Sequence, residues 1–293
     1  MYYRRKVLLA LIETFGGTLK RTDCQKLLFL FCQYTHKNHY DFFPYKFGSF
    51  SYMVYQDKDR LTDLQLLKNS NYFELLNHGT FFSQLNSAEQ SVLLSMKSRF
   101  YGLRGKELIR KIYLDYPQFA CRSQILSNIM NPEEIKQIKR EWKTDHTPTL
   151  FTIGYEGLSI DAYLNRLISN NVKALIDVRK NPLSMKYGFS KSKLKYYVEN
   201  AGLKYFHIPE LGIPTEMRKS LKEPDDYQLL FQYYKTEILP RQTYAMERLK
   251  SLHDQYSRTA LTCYEADYQS CHRHKIAECL RDDAAFSATI VHL

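Results

Sequence analysis

The chain has 293 residues, 44% hydrophobic and 25% charged, with a formal net charge of +11 and a pI of about 9.2. It is longer than one usual domain, so two are expected, and no apolar run approaches the roughly eighteen residues of a membrane-spanning helix, which excludes that class. The excess of lysine and arginine favours nucleic acid or another polyanion as partner, with a merely basic surface as the plain alternative.

In chain order, Val7-Leu-Leu-Ala-Leu-Ile12 lies in a first helix that stops near Gly16-Gly17. Thr22 or Asp23 can cap a second helix through Leu27, Leu28, Leu30 and Phe31. The run Tyr40-Asp-Phe-Phe-Pro-Tyr-Lys-Phe-Gly-Ser-Phe-Ser-Tyr52 has strand or loop character. A third helix over about 53–68 is expected to carry Asp57, Lys58, Asp59 and Arg60 on its wet side. Ser87-Ala-Glu-Gln90 has capping-box spacing, and helical patterns follow near 103–115 and 132–142. This first half fits a winged-helix-like module or any small helical bundle.

The polar, proline-bearing segment 142–150 marks a boundary, giving domains 1–147 and 148–293. The first carries 22 basic and 14 acidic residues, the second 20 and 17. After the boundary the rhythm changes. Strands are expected at 150–153, 174–178, 204–208, 259–263 and 288–293, with helices at 158–168, 190–201, 226–250 (broken or bent at Pro240) and 272–281. Such alternation predicts an α/β fold with a mostly parallel sheet and helices on both faces, preceded by the mainly helical winged-helix-like domain. The six cysteines (24, 32, 121, 263, 271, 279) belong to a chain too large to need disulfide staples, and no signal segment opens it, so a cytoplasmic protein with reduced thiols is expected.

Three strand ends deliver polar groups to what should be one crevice. The first is Gly154-Tyr155-Glu156-Gly157, a tight turn without the spacing or lysine of a phosphate loop. The second is Asp177-Val-Arg179-Lys180-Asn-Pro182, where Asp177 ends an apolar strand and Arg179 shares its face, either as a reactive pair or as a structural ion pair. From Lys173 to Lys195 there are seven basic residues and one acid, interleaved with Tyr187, Phe189, Tyr196 and Tyr197; this suits a nucleic-acid backbone and bases, or a solvated helix face. The third is Cys263-Tyr-Glu265-Ala-Asp-Tyr-Gln-Ser-Cys271-His272-Arg273-His274. Glu265 shares the strand-end face of Cys263, and Cys271, His272 and Arg273 open a helix whose dipole should lower a thiol pKa and attract anions. Cys263, Cys271, His272 and His274 could bind zinc, but Cys-x7-Cys-His-x-His is none of the usual patterns. No metal or cofactor is assigned, and His-Arg reads as an anion clamp.

Ile153-Gly-Tyr-Glu-Gly, Ile176-Asp-Val-Arg-Lys-Asn-Pro, Gly188-Phe-Ser-Lys, His207-Ile-Pro-Glu-Leu-Gly and Leu261-Thr-Cys-Tyr-Glu-Ala-Asp with Cys271-His-Arg resemble the domain of unknown function 488 family over about 150–293. The resemblance implies a pocket lined by Tyr155, Asp177, Arg179, Glu265, Cys271, His272 and Arg273. Lys26-Leu-Leu-Phe-Leu and Tyr40-Asp-Phe-Phe-Pro-Tyr-Lys-Phe-Gly-Ser-Phe-Ser resemble the winged-helix-like Panacea or SocA-like domains over roughly 1–75, which implies a bacterial conflict system.

Together these features lead to the expectation of a DNA-acting hydrolase of the glycosylase type, excising a modified base in defence against foreign (phage) DNA. Asp177 is the first choice of catalytic carboxylate, then Glu265, with Tyr155 stacking on a flipped base and Glu156 beside it. Substrate contacts are expected from Arg179, Lys180, Tyr187, Ser190, Lys191, Cys271, His272 and Arg273. The alternatives are a non-catalytic DNA-binding or nucleotide-sensing regulator of a toxin–antitoxin or defence system, and a transferase with Cys271 as nucleophile. DNA is a more fitting partner than RNA.

Overall fold

The computed structural model describes residues 1–293 except 78, 143–144 and 219–223; positions 143–144 of the expected boundary segment thus lie outside the described residues. The chain divides into two compact units, Met1–Trp142 and Lys143–Leu293.

The N-terminal unit is mainly helical. In order it contains α1 (Tyr3–Thr14), β1 (Thr18–Lys20), α2 (Arg21–Thr35), β2 (Phe43–Tyr45), β3 (Gly48–Phe50), α3 (Tyr52–Asp63), β4 (Tyr72–Glu74), α4 (Ser87–Phe100), α5 (Gly105–Asp115) and α6 (Pro132–Lys139). The strands form two antiparallel ribbons, β1 with β4 and β2 with β3. The apolar runs 7–12 and 27–31 are completely buried and make the core. Helix α1 stops where expected because Gly16 and Gly17 take φ of 100° and 82°, and Gly17 N–H closes onto the Ile12 carbonyl at 2.8 Å.

Three local expectations are corrected. Helix α2 starts two or three residues before its supposed caps: Lys20 sits at the cap, and Asp23 instead accepts from the Gly105 amide at 2.8 Å. Helix α4 is capped by Asn86, not Ser87, through Oδ1 to the Glu89 amide at 3.0 Å. In α3, Asp59 and Arg60 are exposed, but Asp57 and Lys58 are buried. Asp57 is closed in by Arg4 and Arg5 of α1 (2.6 Å each) and the Tyr40 hydroxyl (2.9 Å), so its charge is paired inside the unit. Burial pushes its carboxyl up, but Arg4 and Arg5 outweigh that and hold it below the ordinary carboxylate value.

The C-terminal unit runs β5 (Thr149–Gly154), α7 (Ile160–Ser169), β6 (Ala174–Asp177), α8 (Lys191–Asn200), β7 (Lys204–His207), α9 (Pro224–Tyr233), α10 (Thr243–Tyr256), β8 (Arg258–Cys263), α11 (His272–Asp282) and β9 (Thr289–His292). The strands form one five-stranded sheet, ordered β7-β6-β8-β5-β9, with every neighbouring pair parallel. All residues of β5, β6 and β8 are buried, which is why these strands show no alternation of apolar and charged positions. Leu150, Ile176 and Leu261 pack under α9, α10 and α11. The next residue of β8, Thr262, points to the other face and accepts from Tyr163 of α7 at 2.7 Å. The break or bend expected at Pro240 is a break, with a π-helical turn (Tyr234–Ile238) and a 3-10 turn (Leu239–Arg241) between α9 and α10. Register sets Gly154 beside Cys263 and Asp177 beside Thr262, so the carboxyl ends of the three central strands share one edge.

Candidate functional site

The backbone after β8 passes directly over the end of β5. A Cβ on Gly154 would lie 1.8 Å from the Glu265 carbonyl oxygen, so only glycine lets the two segments meet. The amides of Tyr155 and Glu156 donate to the Tyr264 carbonyl (3.0 and 2.9 Å), and Glu156 Oε2 accepts from the Ala266 amide at 3.0 Å. From α11, the fully buried Arg273 donates to the carbonyls of Glu265 (2.6 Å) and Ala266 (3.1 Å). Glu156 and Arg273, expected as catalytic and substrate-binding groups, are thus placed as props that fix Glu265.

Asp177, the first choice for catalysis, is closed off. It is fully buried, and its two oxygens accept from Arg179 Nε (2.8 Å), Arg179 Nη2 (2.6 Å), the Arg179 amide (3.1 Å) and the Tyr205 hydroxyl (2.7 Å). Arg179 spends Nη1 on the Tyr155 hydroxyl and the Phe189 carbonyl, both at 2.9 Å. Burial pulls the Arg179 guanidinium down in pKa, but Asp177 outweighs it and leaves it raised; burial and Asp177 both raise Tyr205. The physical reason is that a carboxylate in a sheet interior is costly unless ringed by donors. Tyr155 is likewise occupied. Its ring stacks on Phe189 with centroids 4.3 Å apart and planes within 8°, so the face expected to receive a base is filled.

What remains open is a cavity of about 390 Å³. Its floor includes Cys263, Glu265 and His272, with Tyr155 and Arg179 beside them. Its wall is the loop carrying Lys180, Asn181, Leu183, Ser184 and Met185. Glu265 Oε2 accepts from the Cys263 thiol at 3.3 Å. His272 Nδ1 faces both thiols, 3.6 Å from Cys263 Sγ and 3.8 Å from Cys271 Sγ, while Nε2 meets the Val178 carbonyl at 3.2 Å. Burial pushes Glu265 up, but the Cys271 thiol, its own backbone amide, His272 and Cys263 outweigh it, so the carboxyl stays below its ordinary value. Cys271 departs from expectation: burial and the neighbouring Cys263 thiol raise it well above an ordinary thiol, outweighing His272. A thiol held protonated is a poor nucleophile, which weakens the transferase reading.

The loop wall is pinned at its base. A Cβ on Gly212 would lie 2.2 Å from the Lys180 amide nitrogen, the Lys191 amide donates to the Pro182 carbonyl at 2.9 Å, and Lys186 Nζ donates to the Tyr155 carbonyl at 2.9 Å. Its tip is bare: Leu183 is 87% exposed and Met185 completely so. Tyr187 bonds the Tyr197 hydroxyl at 2.7 Å, Ser190 stands at the start of α8, and Lys191 is exposed; none of the three lines the cavity. The sequence reading missed the roles of Tyr205 and of Phe189, which it had placed among aromatics facing nucleic acid, and it missed Leu183 and Met185. The first two act through contacts distant in sequence, whereas Leu-x-Met in a polar loop was a visible signal.

Among the described residues, Cys263, Cys271 and His272 form a group able to ligate a metal. His274 is outside it and pairs with Glu278 at 2.8 Å. No helix among the described residues is long and apolar enough to cross a membrane.

Comparison with known families places the match in this unit: residues 159–280 match the family model Domain of unknown function DUF488. The matched span is shorter than the motif resemblance and leaves out the Gly154-Tyr-Glu-Gly turn. No curated protein and no solved structure matches the chain.

Proposed function

We propose that the protein is a DNA-acting hydrolase that excises a modified base by N-glycosidic cleavage, with Glu265 rather than Asp177 as the working carboxylate. One observation carries the reading. A cavity of about 390 Å³ with the Glu265 carboxylate on its floor has an exposed apolar tip, Leu183 and Met185, at its rim. Apolar side chains at such a rim can wedge between stacked bases, and a flipped nucleotide then needs a pocket of this kind. Lys180, exposed at the same wall, supplies a phosphate contact.

In the proposed step the N-glycosidic bond breaks with its electron pair leaving on the base, and positive charge builds on the sugar. Glu265 stabilises that charge and accepts a proton from the water whose oxygen bonds the sugar carbon. Asp177 and Arg179 serve as the buried clasp that holds the floor. The resemblance of Lys26-Leu-Leu-Phe-Leu and the 40–51 segment to Panacea or SocA-like domains supports a place in defence against foreign DNA, with that unit binding DNA or a partner.

The test is incubation of the full chain with unmodified and phage-type modified DNA, followed by mass spectrometry for released base and by alkali for strand breaks. The expected result is released base that is lost in Glu265→Gln. DNA bound but intact on every substrate, with wild type and Glu265→Gln alike, overturns the enzyme reading. That outcome supports a DNA-binding regulator, the alternative favoured by the closure of Asp177 and Tyr155.

A further inference from the structure

We propose that Cys263, Cys271 and His272 bind a zinc-type divalent cation through Sγ, Sγ and Nδ1, with the fourth position open beside Glu265 toward the cavity. The donor atoms of the three side chains all lie within 4.8 Å of one another, and all three residues are buried. The two sulfur-to-nitrogen separations are 3.6 and 3.8 Å. Tetrahedral zinc, with Zn–S of about 2.3 Å and Zn–N of about 2.0–2.1 Å, holds sulfur and nitrogen about 3.6 Å apart. Both sulfurs therefore already stand at close to the distance from Nδ1 that the ion would impose.

The histidine is oriented for this task. Its Nε2 faces the Val178 carbonyl, a group that only accepts, so the ring proton belongs on Nε2 and the Nδ1 lone pair faces the sulfurs. A ligating histidine is ordinarily fixed in this way, by donating its other nitrogen to a carbonyl or carboxylate. The Tyr234 ring, edge-on at 5.7 Å, further holds the imidazole. The ligands sit on rigid elements: Cys263 ends β8, Cys271 caps α11 and His272 opens it. Two thiolates and an imidazole select a soft or borderline ion over magnesium or calcium.

Three protein ligands leave one tetrahedral position for water, the arrangement of catalytic rather than structural zinc. Cys263, His272 and Glu265 all line the cavity, so that position opens to it, and Glu265 Oε2 is 3.3 Å from Cys263 Sγ. Glu265 is then placed to take the proton of the bound water. This last point rests on the hydrolase reading; binding of the cation does not.

The experiment uses the full chain, purified without a polyhistidine tag or chelator. Elemental analysis after dialysis should find about one zinc per chain, and cobalt(II) added to stripped protein should give the intense near-ultraviolet absorption of cobalt–thiolate bonds. Cys263→Ser, Cys271→Ser and His272→Gln should each cut bound zinc at least about tenfold, whereas Cys121→Ser and Cys279→Ser, away from the trio, should keep it. The cobalt spectrum of the wild type carries the test even where a variant fails to fold. Wild type that retains less than about a tenth of an equivalent and shows no thiolate band overturns the proposal, as does a Cys263–Cys271 disulfide in protein prepared without oxygen. Zinc bound without base release would refute the glycosylase reading and leave the metal site standing.

Discussion

Replacing Arg179 by methionine tests whether the Asp177–Arg179 pair is a clasp. The substitution removes two of the four donors on Asp177, Nε at 2.8 Å and Nη2 at 2.6 Å, and keeps the backbone amide and the Tyr205 hydroxyl. Breaking a buried ion pair from one side costs about 3–5 kcal/mol, and the two surviving donors put this case at the lower end. The Tyr155 hydroxyl and Phe189 carbonyl each lose a partner as well, adding about 0.5–1.5 kcal/mol apiece. A total of about 4–6 kcal/mol is expected, a large share of the roughly 5–15 kcal/mol that holds a typical domain. Urea unfolding provides the assay, with an internal control: the single tryptophan, Trp142, belongs to the N-terminal unit, whereas circular dichroism sees both units. The dichroism transition should move to lower urea while the Trp142 fluorescence transition stays in place. Adding Asp177→Asn to Arg179→Met should restore about 1–2 kcal/mol, because the second change removes the buried charge the first one stranded. A cost for Arg179→Met below about 1 kcal/mol, or strictly additive single changes, would refute the clasp and return Asp177 to the catalytic candidates.

Asp57→Asn should destabilise the N-terminal unit by about 2–4 kcal/mol, read from Trp142 fluorescence, since it strips the paired charge from Arg4 and Arg5. Because the folded carboxyl lies below its ordinary value, Asp57 contributes stability that is present above the normal carboxylate range and lost on acidification, so the wild-type advantage should shrink as pH falls through that range. Gly154→Ala should cost about 1–3 kcal/mol and displace the segment over it, seen as faster proteolysis between Tyr264 and Tyr268; an unchanged digestion pattern would contradict the close passage. Burial lowers Lys26 to about 7, so the unfolded chain binds more protons above that value and stability should rise by about 2 kcal/mol between about pH 7 and pH 9. Lys26→Met should abolish that rise, and a variant with the same pH slope as wild type would argue against the depressed ammonium.

The sheet was legible because its central strands are buried on both faces and so carry short cores of apolar residues and threonine bounded by polar turns. The helix starts were less so: Lys20 and Asn86, not Thr22 and Ser87, stand at the caps, since Ser, Thr, Asp and Asn close together compete for one role. Asp57 was misread as wet because its partners are Arg4 and Arg5, about fifty positions away, and helical periodicity carries no trace of them. The same limit applies at the site. Asp177 and Arg179 were visible as an i, i+2 pair, but the Tyr205 hydroxyl and the Tyr155–Phe189 stack that decide its accessibility come from other segments. The cysteine–histidine segment stood out in composition. Its ligand geometry did not, because a strand end and a helix start meet there across a spacing no common pattern uses.

The cavity wall separates what keeps its shape from what faces solvent. Lys180 is wedged against Gly212, and Pro182 and Lys186 are tied down, yet the side chains of Leu183 and Met185 touch little but solvent. Substitutions at those two tips should change folding stability by no more than about 0.5 kcal/mol. Variation there is therefore nearly neutral for the fold while it reshapes the rim. Single changes at positions 183 and 185 can alter the rim of the cavity without compensating changes elsewhere in the fold.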